Sequence, residues 1–213
     1  MNSSELSSLN RDRREAITHL FSGLLVIRSF SDFVRILHAQ YEDDSLGLSS
    51  GPSRFGPITS TSGIVKAPAF RVLYMAADLA TAAYETLIRD RYDLEPSRTL
   101  SPWDYRTRIA VNISTSFGET VTLVDLTDGN AIRHGVPSDV TSYSNHTDGQ
   151  HFATFVHANI SVVDGLLYRS RFTNKRNVAI FDRAIGRLAF GERLPLSREL
   201  LRPALRSWRV EVT

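Results

Sequence analysis

Cysteine is absent from this chain of 213 residues, and long apolar runs are absent too. Without thiols the chain has no disulfides, thiol nucleophile or thiolate metal site, a composition that fits a cytoplasmic protein. Its longest strongly apolar run, residues 20–27, is interrupted by Ser22 and Gly23 and falls well short of the roughly 20 residues of a membrane span. Acidic residues are mixed with the basic ones before this run, and no small-residue cleavage site follows. We therefore expect an untargeted soluble protein with no membrane association.

Lysine is nearly absent, because only Lys66 and Lys175 among the 25 basic residues are lysines. The net charge of +2 is unevenly distributed. Residues 166–213 carry eleven basic and four acidic side chains, a net of +7, which leaves −5 for residues 1–165. Guanidinium groups bind oxyanions in a bidentate manner, so this arginine excess is typical of phosphate or acidic-partner recognition. Codon composition alone would produce the same excess.

Common catalytic motifs are missing as well. The chain has no G-x-x-x-x-G-K-[ST], G-x-G-x-x-G or H-E-x-x-H sequence, which argues against the usual nucleotide hydrolases, dinucleotide oxidoreductases and metalloproteases. His146 and His151 flank the expected start of a helix, but no regular set of acidic partners accompanies them, so we predict no metal site. The basic C-terminal part has aromatic residues among its arginines but matches no nucleic-acid-binding module.

The stretch that organises the chain, residues 67–90, predicts a strand that turns into a helix. Residues 70–75 have the period of a strand, and Asp78 can cap a helix whose apolar stripe begins at Leu79. Tyr74 at the strand end and Glu85 at the border of the apolar stripe could share one cleft. The alternative is a core tyrosine and an ordinary i, i+4 ion pair between Glu85 and Arg89.

The rest of the chain predicts an α+β fold with a mixed β core flanked by helices. Helical spacing over residues 12–28 and a second apolar group from residue 33 predict an N-terminal helical segment, residues 1–45, ahead of a catalytic domain, residues 46–213. A loop over residues 46–63 carries a single charge, Arg54. Strands are predicted over residues 107–113, 120–126, 164–171, 177–181 and 207–212, with helices from about residue 147 and over residues 198–205.

Four short motifs in a fixed order carry a family resemblance. The order is SRF around Arg54, VLYMA around Tyr74, YETLIRD around Glu85, and a Q-x-x-A followed by DGLLYRSR around Ser170. This order resembles the RES domain family, named for its Arg, Glu and Ser, over about residues 46–181. One departure concerns Phe55, because some members have a tyrosine or tryptophan there and Phe55 loses any hydrogen bond from that position.

The resemblance implies a fold related to ADP-ribosyltransferases and a toxin of a bacterial toxin–antitoxin pair. Such a toxin binds NAD+ as its substrate, without a further cofactor or metal, and breaks the nicotinamide–ribose bond by hydrolysis or phosphorolysis. The resemblance also implies a catalytic set of Arg54, Glu85 and Ser170. Substrate would be bound by Arg54, Phe55, Tyr74 and Ser170.

The expected partner is a helix-turn-helix antitoxin that covers the cleft, through which nucleic acid would be contacted only indirectly. Several alternatives stay open. Some members are reported to ADP-ribosylate a protein, and a non-catalytic binding module with a basic C-terminal face would belong to a different class. The expected location is cytoplasmic, with delivery into a competing cell as a second route, and a homodimer is among the assemblies considered.

The residue types suit this chemistry. Cleavage of an N-glycosidic bond passes through an oxocarbenium-like state, which a carboxylate such as Glu85 near the ribose can stabilise. Arg54 offers a planar fork of donors for pyrophosphate or ribose oxygens, and Tyr74 can stack on the nicotinamide ring. Ser170 can hydrogen-bond the amide or the ribose. Because nicotinamide is already a cationic leaving group, the protein mainly has to orient the ribose and control the nucleophile.

Overall fold

The computed structural model describes residues 19, 21–44, 46–48, 53–58, 69–89, 99–142 and 145–212. The strands within these ranges are β1 (Leu25–Arg28), β2 (Phe33–His38), β3 (Val72–Ala76), β4 (Thr99–Leu100), β5 (Arg108–Thr115), β6 (Val121–Asp125), β7 (Gly165–Arg169), β8 (Arg176–Phe181), β9 (Leu188–Pro195) and β10 (Glu211–Val212).

The helices surround these strands. They are α1 (Leu79–Ala83), α2 (Pro102–Arg106), α3 (Asn130–Arg133), α4 (Asp139–Ser142), α5 (Thr147–Asn159) and α6 (Arg198–Ser207). A π-helical turn, Tyr84–Ile88, continues α1 without a break. Short 3-10 helices occupy Ser22–Leu24, Ala39–Asp44 and Asp182–Arg187. None of the helices in the described ranges is long and apolar enough to cross a bilayer.

In the described part of the chain, one sheet of eight strands forms the centre, in the order β1-β6-β7-β8-β3-β2-β5-β9. Adjacent strands of this sheet are antiparallel, except that β6 and β7 are parallel. The connection between these two strands contains α3, α4 and α5. β3 pairs with β8 over five residues but with β2 only where Val34 lies opposite Ala76. Val34 and Ala76 of that pair also line the candidate site. β4 and β10 form a small parallel pair of their own.

Alternation along the central strands divides the core between two faces of the sheet. Leu73 and Met75 of β3 pack into a cluster on one face. On the other face, Val72 belongs to a cluster with α5, whereas Ala76 belongs to a cluster with α1 and α6. Tyr74 lies between Val72 and Ala76 on the same face of β3 and packs against the α5 cluster. The two helical layers thus meet over β3, and the candidate site lies where they meet.

The predicted α+β class and the strand-to-helix turn are confirmed. Asp78 caps α1, because its Oδ1 accepts a hydrogen bond from the Thr81 N–H at 2.7 Å. The strands predicted around residues 107–113, 120–126, 164–171 and 177–181 are present as β5, β6, β7 and β8, and the helices predicted from residue 147 and over residues 198–205 are α5 and α6.

The prediction of an N-terminal helical segment is wrong for residues 25–28 and 33–38, which form the strands β1 and β2. Residues 25–28 pair with β6, and residues 33–38 pair with β5 over six positions, so both stretches belong to the main sheet. Their apolar groups fit either period over so few residues, and long-range pairing decides the outcome. The part of the first predicted helix over residues 12–18 lies outside the described residues, as do residues 49–52 and 59–63 of the predicted loop.

The predicted C-terminal strand is also corrected. The strand was predicted over residues 207–212. In the structure Ser207 is the last residue of α6, and only Glu211–Val212 form a strand. Strand β9, at the edge of the sheet, was not predicted, because its alternation is interrupted by Gly191 and by adjacent charges.

Candidate active site

A cleft of about 360 Å³ opens at the boundary between the two helical layers. Side chains from the loop after residue 52, from β3, from the π-helical turn and from β7 and β8 contribute to its wall. The lining side chains include Arg54, Tyr74, Glu85, Tyr168, Arg171 and Asn177. The structure therefore brings three of the predicted site residues, Arg54, Tyr74 and Glu85, into one cleft.

Glu85 is the carboxylate of this cleft, and two side chains fix one of its oxygens. Ser170 Oγ donates a hydrogen bond to Glu85 Oε1 at 2.7 Å, and Asn177 Nδ2 donates to the same oxygen at 3.2 Å. Arg89 lies one turn further along the helix, with Nη1 3.9 Å from Glu85 Oε2. The i, i+4 ion pair considered from sequence is thus present, but it is longer than either of these hydrogen bonds. The second oxygen, Oε2, is the one that faces the arginine.

Glu85 sits on the π-helical turn, not on regular α-helix. Such turns are rare and frequently occur at functional sites, because the extra residue changes the direction of neighbouring side chains. Here Tyr84, Leu87 and Ile88 of the turn are buried, so the turn is anchored in the core while Glu85 borders the cleft. The local backbone therefore aims the carboxylate across the cleft toward β7 and β8.

Ser170 lies behind Glu85. It is only 2% exposed, and its Oγ also accepts hydrogen bonds from the N–H groups of Phe172 and Thr173 at 3.3 Å each. With these donors bonded to its oxygen, the single hydroxyl proton of Ser170 is directed to Glu85. The geometry of Ser170 is that of a residue that positions the carboxylate.

Asn177 is a candidate site residue that the sequence analysis missed. It is 2% exposed, begins an otherwise apolar stretch of β8, and lies opposite Ala76 on β3 and Tyr168 on β7. Its Oδ1 is buried and accepts no hydrogen bond within the described part of the chain. The signal available in the sequence was a single amide in an apolar strand, which by itself does not indicate a partner.

The loop that carries Arg54 is held from two sides. The Tyr74 hydroxyl accepts a hydrogen bond from the Phe55 N–H at 2.8 Å and donates to Ser53 Oγ at 3.0 Å. From α5, Gln150 Nε2 donates to the Ser53 carbonyl at 3.1 Å. The backbone on both sides of Arg54 is therefore fixed by β3 and by the first turn of α5.

Phe55 does not lie where a substrate-binding residue would be expected. Its ring is fully buried, and it meets the Tyr168 ring edge-on with the centroids 4.9 Å apart. The structure thus places this ring in the core beneath the Arg54 loop and not on the cleft wall. Its contribution here is to hold the loop down.

Burial dominates the electrostatics of the cleft. Burial lowers the pKa of Arg54; the neighbouring guanidinium of Arg171 acts in the same direction, while Tyr168 and Glu85 oppose the change. Burial raises the pKa of Tyr74 to about 12 and that of Tyr168 well above its usual value. Both tyrosines are therefore protonated at neutral pH and can act as hydrogen-bond donors.

A metal centre finds no support in the part of the chain that the structure describes. No group of three or more His, Asp or Glu side chains there is arranged to hold an ion. His146 lines the cleft, but it has no such companions among the described residues. What the arrangement does offer is one fixed carboxylate among several guanidinium groups, which suits an anionic ligand with a cationic reacting centre.

Comparison with known proteins assigns the family. A model of the RES domain matches residues 32–199. A stretch of 75 residues is 28% identical to the protein named "Probable toxin y4kH" from Sinorhizobium fredii (strain NBRC 101917 / NGR234), covering 35% of this chain and 59% of that protein. The chain thus spans about three fifths of that relative's length. Because the RES model matches most of its residues, the chain belongs to the RES domain family.

Proposed function

We propose that this protein is a toxin that consumes NAD+ by breaking the bond between nicotinamide and ribose. The observation that carries the proposal is the Glu85 carboxylate, fixed by Ser170 and Asn177 in a cleft that also contains Arg54. Membership of the RES domain family and a relative named as a probable toxin support the toxin role.

In this reaction the bond between the nicotinamide nitrogen and ribose C1′ breaks, and its electron pair neutralises the pyridinium ring. Positive charge then develops on the ribose, where Glu85 stabilises it through its charge and by holding ribose hydroxyls. An oxygen of water or of inorganic phosphate bonds to C1′, and the proton of the nucleophile is released. The products are nicotinamide and ADP-ribose, or its 1-phosphate when phosphate is the acceptor.

The other residues orient the substrate. Arg54 holds phosphate or ribose oxygens with its fork of donors, and the Tyr74 ring is available for the nicotinamide. Ser170, with Asn177, keeps the carboxylate in one rotamer, so that no reorganisation is needed as charge develops.

An enzyme of this kind depletes its own host, so we include a partner in the proposal. An antitoxin that occupies the cleft would block Arg54 and Glu85 together. The basic character of the cleft favours an acidic or carboxylate-bearing segment as the inhibitory element.

The decisive experiment measures NAD+ loss by the purified chain, with and without inorganic phosphate, and identifies the products by mass spectrometry. We expect Glu85→Gln and Arg54→Ala each to reduce the rate about a hundredfold or more, which corresponds to about 2.7 kcal/mol of transition-state stabilisation. Appearance of the 1-phosphate would assign phosphate as the acceptor.

Matched controls use the same substitutions away from the cleft. Glu119→Gln and Arg133→Ala change exposed side chains and should retain full activity. If Glu85→Gln turned over NAD+ at the wild-type rate, the proposed role of this carboxylate would be wrong. Absence of NAD+ loss together with labelling of a cellular protein by ADP-ribose would instead favour protein modification.

A further inference from the structure

Trp208, which directly follows the last residue of α6, is an aromatic residue that the proposed mechanism does not use. Its ring meets the Tyr84 ring edge-on, with the centroids 4.6 Å apart. The centroid of the same Tyr84 ring lies 4.7 Å from that of Phe172. Tyr84 therefore packs against two aromatic rings that come from distant parts of the chain. Trp208 also lies outside residues 32–199, the stretch that the RES domain model matches.

The ring pair of Tyr84 and Phe172 joins the two elements that carry the central hydrogen bond of the site. Tyr84 is buried and directly precedes Glu85 on the π-helical turn. Phe172 follows Ser170 by two positions, and its N–H donates a hydrogen bond to Ser170 Oγ at 3.3 Å. Ser170 Oγ in turn donates to Glu85 Oε1 at 2.7 Å. The ring pair and this last hydrogen bond thus connect the same two elements, the π-helical turn and the turn between β7 and β8.

The position of Trp208 is fixed by the way α6 ends. Its N–H donates to the Ala204 carbonyl at 3.1 Å, and the next residue, Arg209, has a left-handed backbone with a φ of 54°. The Val210 N–H then donates to the Leu205 carbonyl at 2.9 Å. This pattern is that of a Schellman motif, which closes a helix and turns the chain. β10 follows and pairs with β4, so the backbone is fixed on both sides of Trp208.

We propose that Trp208 is a positioning residue that keeps the Glu85 carboxylate within hydrogen-bonding reach of Ser170. It acts through the Tyr84 ring, because a ring that packs against two others has little freedom to move. Trp208 itself is not among the described residues that line the cleft. A carboxylate that is fixed in advance needs no reorganisation as charge develops on a substrate. The effect on rate rests on the proposed function, whereas the effect on the hydrogen bond does not.

The first test needs no substrate. Hydrogen exchange is followed by NMR at the amides of Phe172 and Thr173, which donate to Ser170 Oγ. The variant is Trp208→Ala, and the matched control is Trp103→Ala, because Trp103 is 80% exposed and is not among the described residues that line the cleft. We expect Trp208→Ala to accelerate exchange at these two amides about tenfold, with the amides between β2 and β5 exchanging as in the control.

The second test is a double-mutant cycle on NAD+ cleavage, with Trp208→Ala and Ser170→Ala made singly and together. We expect Trp208→Ala alone to lower kcat about tenfold. In the Ser170→Ala background the same substitution should lower kcat by less than about twofold, because two residues that act through one contact are not additive. A side chain that contributes only to folding would give the full loss in both backgrounds.

Two conservative variants separate the aromatic ring from its bulk. Trp208→Phe keeps a ring beside Tyr84 and should retain kcat within about twofold of the wild type. Trp208→Leu keeps apolar bulk without a ring, so its kcat should lie between those of Trp208→Phe and Trp208→Ala. Because both changes are milder than the loss of the whole side chain, they carry the test if Trp208→Ala does not fold.

Three results would overturn the proposal. One is unchanged exchange at the Phe172 and Thr173 amides in a folded Trp208→Ala variant. Another is an additive loss of kcat in the cycle with Ser170→Ala. The third is failure of all three Trp208 variants to fold while Trp103→Ala folds normally, which would assign Trp208 to the stability of the fold. A chain that cleaves no NAD+ but still shows the local change in exchange would refute the proposed function and leave this inference intact.

Discussion

The Tyr74 hydroxyl links β3 to the loop that carries Arg54, and its titration gives a direct measure of that link. It accepts from the Phe55 N–H and donates to Ser53 Oγ. Burial raises the pKa of Tyr74 to about 12, whereas a tyrosine in the unfolded chain titrates at about 10. Below about pH 10 both states hold the proton, and the hydrogen bonds contribute their full stability.

We therefore predict a loss of stability at alkaline pH that depends on Tyr74. Between about pH 10 and pH 12 the unfolded chain loses the phenolic proton while the native chain keeps it, so the free energy of unfolding falls as pH rises. Urea denaturation across this range should show a steeper fall in the wild type than in Tyr74→Phe, which has no phenol to titrate.

The control for this prediction is Tyr41→Phe. Tyr41 is 55% exposed, so its removal should leave the pH dependence as in the wild type. Parallel curves for the wild type and Tyr74→Phe would show that the Tyr74 hydroxyl does not hold the loop in the way the structure indicates.

Among the elements, the sequence predicted those whose signals are local. The β3–α1 turn was predicted because the period changes at Asp78, which also caps the helix. β1 and β2 were misassigned because their short apolar groups acquire a strand period only through pairing with β6 and β5. The π-helical turn has no local signal either, since its extra residue is stabilised by burial of Tyr84, Leu87 and Ile88.

The candidate site, too, could be predicted from the sequence only in part. A family resemblance named Glu85 and Ser170, but their hydrogen bond joins residues 85 positions apart and depends on how α1 meets the β7–β8 turn. Asn177, 92 positions from Glu85, carries no motif at all. Physical contact between such residues follows from the topology of the sheet, which local periodicity does not specify.

The first turn of α5 also shapes the site, through a close approach at Gly149. A Cβ at this position would lie 2.5 Å from the Arg54 carbonyl oxygen and 3.0 Å from the Val140 carbonyl oxygen. Both contacts are to backbone, which cannot rotate away. The absence of a side chain at Gly149 therefore lets the Arg54 loop rest on α5 beside the Gln150 hydrogen bond.

We predict that Gly149→Ala reduces kcat/KM for NAD+ about tenfold or more and lowers the free energy of unfolding by about 1 to 3 kcal/mol. The physical reason is displacement of Arg54 from the cleft. A glycine-to-alanine change inside a helix without such contacts would stabilise the chain by up to about 1 kcal/mol, so the sign of the stability change is informative.

Gly186→Ala serves as the control for this prediction, because a Cβ at Gly186 meets nothing within 4 Å. Its activity should equal that of the wild type. If Gly149→Ala were as active and as stable as Gly186→Ala, the loop would not be held against α5 in solution.

At the scale of the whole molecule, the fold concentrates one sign of charge at the cleft. Arg169 and Arg171 come from the C-terminal residues with a net charge of +7, whereas Arg35, Arg54 and Arg89 come from the net acidic part of the chain. The arginine excess of residues 166–213 therefore accounts for only part of the positive charge at the cleft. Folding adds three further guanidinium groups from segments that are far away along the chain.

This concentration predicts a salt-dependent KM. Dissolved ions screen the attraction between the guanidinium groups and the phosphates of NAD+, whereas the bond-breaking step inside the cleft is less exposed to them. Raising NaCl from about 50 mM to about 500 mM should increase KM about three- to tenfold and leave kcat within about twofold. Steady-state kinetics at several salt concentrations measure both, and urea denaturation at the same concentrations verifies that the fold is retained.

Two comparisons make the salt experiment specific to the cleft. Nicotinamide riboside lacks phosphates, so its KM should not rise with salt. Arg171→Met should show a shallower salt dependence for NAD+ than Arg133→Met, which changes an exposed arginine that is not among the cleft-lining residues. A KM for NAD+ that is independent of salt would mean that the five arginines do not attract the phosphates. Substrate would then be selected by shape and hydrogen bonding alone, and the fixed carboxylate of Glu85 would have to act without electrostatic capture of the dinucleotide.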